Sequence, residues 1–343
     1  MIFEIAVLTV ILAFMFTFTN GFQDASTMAA TFIASRSASP RGGIIMVASM
    51  SFLGALLGGS AVAFTLSGLV TIDSGFQTIV VLLAAMVGAT IWNITAWKYA
   101  LPSSSTHALI GGLIGAGVVS AGVGGVYWGL AELLLPPHHL EGLMKILFFL
   151  LISVVIGFAG SFLMRRMTKF LLMNAERKIN KQIIRLNWLT AAVMSFANGA
   201  NDSQKQMGII VLVLLSASLT TTMEVPVWTR VACALLLALG TLGGGWRIMN
   251  TIGNRIFKLE PVHSFDSQVS SGVSIALSTL AGAPVSSTHI VSMSVLGVGM
   301  AENRRKVQWS VGRNIIIAML VTIPVTMLIS GAVYLVISLL VGV

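Results

Sequence analysis

Charge is what this sequence has least of. Only 9% of its 343 residues are Asp, Glu, Lys or Arg, against roughly 25% in a typical soluble domain, so an ordinary water-facing surface cannot be assembled from it. Cysteine is nearly absent. The single Cys233 excludes an intramolecular disulfide, and its setting in Val231-Ala232-Cys233-Ala234-Leu235 assigns it to packing rather than redox chemistry. The opening stretch Met1 to Phe18 carries Glu4 but no Lys or Arg, which excludes the basic n-region of a secretory signal peptide and reads as a retained membrane segment. Nowhere do a nucleophile, a base and an orienting group fall together, so an enzyme is not expected.

What is abundant is apolar. Hydrophobic residues make up 56% of the chain, in runs that often approach or exceed the roughly 20 residues a bilayer crossing needs. The chain reads as an all-α, multi-pass integral membrane protein. Its formal net charge of +9 is not a nucleic-acid footprint, because the basic residues sit in short loops between apolar runs, as cytoplasmic loops do. Seven of the 20 Lys and Arg lie between Arg165 and Arg185, and others stand at Arg36, Arg41, Arg304, Arg305 and Lys306.

Two polar motifs each occur twice, in the same order. Asn20-Gly21-Phe22-Gln23-Asp24 returns as Asn198-Gly199-Ala200-Asn201-Asp202, and Ser104-Ser105-Thr106-His107 returns as Ser286-Ser287-Thr288-His289. Asp24 precedes His107 by 83 residues and Asp202 precedes His289 by 87, the register expected of a transporter built from internal repeats. Basic residues follow the first Asp motif and are absent from Val118 to Leu143, whereas residues 215–226 hold none and Arg304-Arg305-Lys306 follow the second Ser-Thr-His motif. Equivalent loops therefore face opposite sides, and the repeat is inverted.

About five crossings are expected per half, at 5–35, 43–70, 75–99, 103–119 and 143–164, then 190–214, 226–248, 268–283, 286–300 and 312–340. Both termini then come out external. Short segments such as 286–300 can instead be re-entrant hairpins. The expected organisation is a first repeat at 1–164, a basic cytoplasmic linker at 165–187 and a second repeat at 188–343, forming one transmembrane domain.

The Asp motifs interrupt helical sequence, and Gly permits a break whose freed carbonyls can bind a cation. An Asp inside a membrane segment costs about 2.5–3.5 kcal/mol on insertion scales, so Asp24 and Asp202 are expected to carry charge for a purpose as well as to cap the helices that follow. In the Ser-Thr motifs, hydroxyls and free backbone N–H groups at a positive helix end form an anion site. His107 and His289 are equally compatible with a hydrogen-bonded structural role and with proton handling.

These motifs resemble the inorganic phosphate transporters of the PiT type, carriers driven by sodium or protons, over nearly the whole chain. The resemblance rests on residues 20–24, on Gly199 to Gly208, on Pro102 to Gly112 and on Pro284 to His289. It implies phosphate binding by Ser104, Ser105, Thr106, Ser286, Ser287 and Thr288, and sodium binding by Asn20, Gln23, Asp24, Asn198, Asn201 and Asp202, with sodium held at Asp24 and Asp202. His107, His289 and Gln204 are the proton-handling or supporting candidates. It also implies a homodimer, a place in the cell (plasma) membrane and no cofactor beyond the coupling ion. Gln23 stands where the family usually has Asn or His, and Thr27 where it usually has Asn, a departure that bears on the choice between sodium and protons.

The same mechanism follows from charge. A phosphate dianion beside two carboxylates is repelled unless cations or protons join it, so symport through alternating access is expected. The alternatives are a proton-coupled symporter, carrying free or metal-bound phosphate, a sulfate permease, or an anion channel. Protonated phosphate can donate a hydrogen bond to a carboxylate and sulfate cannot, which favours phosphate, and a channel would need a basic or polar pore rather than carboxylates.

Overall fold

Long apolar runs with few internal prolines satisfy their backbone polar groups only as helices when water is excluded, and helices account for the fold. A computed structural model describes residues 1–343 apart from residues 177, 244 and 343 and the side chains of Asp24, Ala25 and Ser26. The helices are α1 (Ile2–Asn20), α2 (Ser26–Ala34), α3 (Pro40–Leu57), α4 (Ala61–Ser67), α5 (Phe76–Lys98), α6 (Ser105–Ala121), α7 (Leu130–Leu134), α8 (Gly142–Leu171), α9 (Ile179–Ser216), α10 (Val227–Gly243), α11 (Trp246–Asn250), α12 (Pro261–Leu280), α13 (Ser287–Asn303) and α14 (Trp309–Val341). Two wider π-type turns, Gly21–Ala25 and Thr251–Arg255, join α1 to α2 and follow α11. Among the described residues no strand forms, and the sole bridge pairs Val70 with Val126.

Among the described residues six helical segments are long and apolar enough to cross a membrane, or seven if the pair Val227–Gly243 and Trp246–Arg255, bent by 61°, is one span. Ten were expected. The shortfall has a physical cause: α9 and α12 are polar along buried faces, α13 and α10 are only 17 residues long, and α10 is bent where it meets α11. By contrast α14 exposes Ile316, Leu320, Leu328, Leu335 and Leu339, a surface suited to lipid and costly in water.

Two apolar cores stand apart. One gathers Phe16 of α1, Leu66 of α4, Leu82 and Met86 of α5, Leu109 and Leu113 of α6, and Met207 and Ile210 of α9. The other gathers Met28 of α2, Val47 of α3, Met194 of α9, Ile275 of α12, and Ile290 and Val295 of α13. The α1–α2 segment and α9 each feed both cores, and their polar motifs fall between the two contributions. A polar seam is thereby trapped between apolar masses.

Helices approach closely where side chains are small, as membrane packing favours. A Cβ on Gly54 would overlap the Phe196 carbonyl, and one on Gly199 the backbone of Ser51, so α3 and α9 cross nearly backbone to backbone. A helix break was expected at Gly21. This residue is right-handed, with φ −57° and ψ −39°, and its size instead admits α10, whose Leu237 and Gly240 backbones a Cβ would strike. The basic run beginning at Arg165 is helix at both of its ends: α8 continues to Leu171 and α9 starts at Ile179. Arg165 is buried there, donating to Glu302 Oε2 from Nε at 2.9 Å and lying 3.5 Å from Asp266 Oδ2, which ties α8 to α12 and α13.

Candidate functional site

The seam is built first by two helix starts. Ser104 and Ser286 lie in extended backbone just ahead of α6 and α13, and each accepts from the N–H of the histidine three residues on, at 3.1 Å for His107 and 3.4 Å for His289. This is the serine N-cap that short-range chemistry favours. From there α6 runs into one apolar core and α13 into the other, so the two starts meet end to end. Thr106 Oγ1 donates to the Val285 carbonyl at 2.8 Å, and the rings of His107 and His289 pack edge to face with centroids 4.9 Å apart. Ser104, Ser105, Thr106, Ser286, Ser287 and Thr288 are all buried. Ser287 Oγ, His107 Nδ1 and both ring nitrogens of His289 make no hydrogen bond among the described residues.

Helix α9 lies across this junction. Asn198, Asn201, Asp202 and Lys205 are spaced so that they share one face, and all four are buried. A helix break at Asn198–Asn201, with Asp202 capping its continuation, was expected; α9 instead runs unbroken from Ile179 to Ser216. Its backbone needs no capping there because the i→i−4 ladder continues through Gly199, whose role is the close approach of α3. Asp202 is therefore not a cap. Its charge is met by Lys205, whose Nζ donates to Asp202 Oδ1 at 2.5 Å, to Thr106 Oγ1 at 2.6 Å and to the Val285 carbonyl at 2.9 Å. Asp202 Oδ2 makes no hydrogen bond among the described residues.

Asn201 is engaged as a brace, with its Nδ2 donating to Thr279 Oγ1 and the Ala283 carbonyl and its Oδ1 accepting from the Val285 N–H at 3.1 Å. It holds the segment leading into α13, and its Oδ1, which accepts one N–H, keeps a second lone pair. Gln204 works similarly: it accepts from the Val62 N–H and donates to the Gly58 carbonyl, both at 2.8 Å, and so closes the gap between α3 and α4. Asn20 and Asn198 differ, since both amide atoms of each are buried without a hydrogen bond among the described residues. Gln23 Nε2 donates to the Asn93 carbonyl of α5 at 2.8 Å. The Asp24 side chain lies outside the described residues, but the Gly21–Ala25 turn packs against α5, α9, α10 and α13, at the same seam.

All four motifs thus converge, and the residue that sequence reasoning missed is Lys205. Its signal was present: it is the sole Lys or Arg between Arg185 and Arg230, within an apolar helix and three residues after Asp202. A charge at such depth is functional by default.

A buried polar seam flanked by helix N-termini, in a bundle of membrane-length helices, defines a membrane transport protein. The chain belongs to the phosphate transporter family, whose model matches residues 20–330. A probable low-affinity inorganic phosphate transporter of Bacillus subtilis (strain 168) is 34% identical over 98% of each chain. One from Rhizobium meliloti (strain 1021) is 36% identical over 97% of this chain and 96% of its own. A solved structure titled the sodium-dependent phosphate transporter superimposes with a TM-score of 0.87 at 24% identity, covering 98% of this chain and 99% of that one, which establishes the fold. The relatives are transporters, not enzymes.

Proposed function

We propose that this protein imports inorganic phosphate across the cell membrane by symport with cations, sodium favoured, through alternating access of two inverted repeats. The observation that carries the reading is the meeting of two Ser-Ser-Thr-His helix starts beside Asp202, with Thr106 bonded to the Val285 carbonyl. Two positive helix ends facing one point suit an anion of tetrahedral oxygens. The hydroxyls of Ser104, Ser105, Thr106, Ser286, Ser287 and Thr288 supply the remaining hydrogen bonds. The carboxylates of the Asn-Asp motifs are charge-balanced when phosphate is bound, with sodium the favoured mobile cation and the orphaned amides of Asn20 and Asn198 among its oxygen ligands. Every described polar residue of the seam is buried, so the arrangement is closed to both faces and must open by rocking of the repeats. A homodimer in the plasma membrane completes the reading.

One observation favours the proton-coupled alternative. Asp202 Oδ1 already holds an ammonium, which leaves less need for sodium at that carboxylate. Uptake of radiolabelled phosphate into proteoliposomes, with sodium and proton gradients imposed in turn, tests both. Accumulation under one gradient, weakened in Asp24→Asn, is the expected result. No phosphate uptake under either gradient overturns the proposal.

A further inference from the structure

Lys205 is almost completely buried, with 1% of its surface exposed. An ammonium offers three donors, and all three are used: one on the Asp202 carboxylate, one on the Thr106 hydroxyl and one on the Val285 carbonyl. Thr106 belongs to the first turn of α6, and Val285 directly precedes the Ser286 cap of α13. The cation therefore stands where two helix N-termini converge. By dipole alone that is the wrong place for a positive charge, since each end already carries about +0.5. With Asp202 cancelling the ammonium, the two helix ends leave about one net positive charge at the junction. A fixed excess of that sign is what an anion needs.

We propose that Lys205 is a tethered counter-cation, neutralising Asp202 in place of a mobile ion and donating directly to bound phosphate. The inference rests on the phosphate-symport reading and narrows its cation part: the Asp202 side of the site needs no mobile cation. When phosphate enters, Lys205 keeps Asp202 and exchanges its Thr106 or Val285 bond for a phosphate oxygen. When phosphate leaves, those protein acceptors take the donors back. The lysine is satisfied at both ends of the cycle, which lets the unloaded carrier close without a cation at Asp202.

The test is binding of radiolabelled inorganic phosphate by the full-length protein in lipid nanodiscs, with sodium chloride titrated against choline chloride at constant ionic strength. Lys205→Gln exposes the carboxylate, so at low sodium phosphate affinity should fall about 10- to 150-fold and recover partly as sodium rises. Asp202→Asn keeps the ammonium, so it should bind phosphate with the sodium response of the wild type. The double variant K205Q/D202N removes both charges, the change a buried pair tolerates better than loss of one partner. It should show no new sodium dependence, and it stands in for Lys205→Gln should the single variant not fold.

Loss of the sodium response in Asp202→Asn overturns the inference. So does wild-type phosphate affinity and sodium response in Lys205→Gln or, where that variant does not fold, wild-type phosphate affinity in the double variant. A wild type that binds no phosphate at any sodium concentration overturns the phosphate reading itself, and is told apart because no substitution is involved.

Discussion

Replacing Thr106 with valine keeps the shape of the side chain and deletes one atom's worth of chemistry. Thr106 Oγ1 donates to the Val285 carbonyl at 2.8 Å and accepts from Lys205 Nζ at 2.6 Å. The first is a neutral hydrogen bond, with a net contribution of about 0.5–1.5 kcal/mol; the second is charge-assisted and contributes about 1.5–3 kcal/mol. Neither partner is abandoned, because Val285 still accepts from Lys205 and Lys205 still holds Asp202. The fold should therefore survive with stability reduced by about 2–4.5 kcal/mol, read as a lower melting temperature in nanodiscs. Phosphate binding should weaken separately. If the hydroxyl hydrogen-bonds the anion, its loss corresponds to about 10- to 150-fold in Kd, measured with radiolabelled phosphate at fixed sodium. Thr288→Val should behave alike, since Thr288 occupies the same step of α13 as Thr106 does of α6. A melting temperature that falls while Kd stays put in both variants would make the threonines braces only and refute the anion site.

Gln204→Met should destabilise the protein without any change in substrate preference. It strands the buried Val62 N–H, worth about 1–3 kcal/mol, and to a lesser degree the half-buried Gly58 carbonyl; an unaltered melting temperature would show that the α3–α4 gap closes without it. Orientation is checked by cysteine labelling, for which the buried native Cys233 gives little background. Leu134→Cys and Thr221→Cys should react with an impermeant thiol reagent from outside and Lys181→Cys only after permeabilisation, and the opposite pattern reverses the topology.

How much of this was legible in advance follows from the range of the interactions. The Ser104 and Ser286 caps span three residues each, so a Ser-Ser-Thr-His string carries its own geometry. Membrane-length apolar runs likewise declare helices, because a backbone without water has no other partner than itself. The doubled motifs declared that four polar segments had to meet, since isolated polarity in an apolar chain is too costly to scatter.

The sequence by itself could not decide how they meet. Whether Gly199 marks a break or a close crossing depends on the backbone of α3 lying against it, and the same dipeptide is compatible with both. That Asn201 braces the segment before α13 is visible only through its bond to Val285, 84 residues away. Lys205 reads as one stray charge until the fold sets it against Thr106, 99 residues earlier. Local hydrogen bonds are encoded by neighbours in the chain, whereas the charge balance of the seam exists only once two apolar cores have pressed α6, α9 and α13 together.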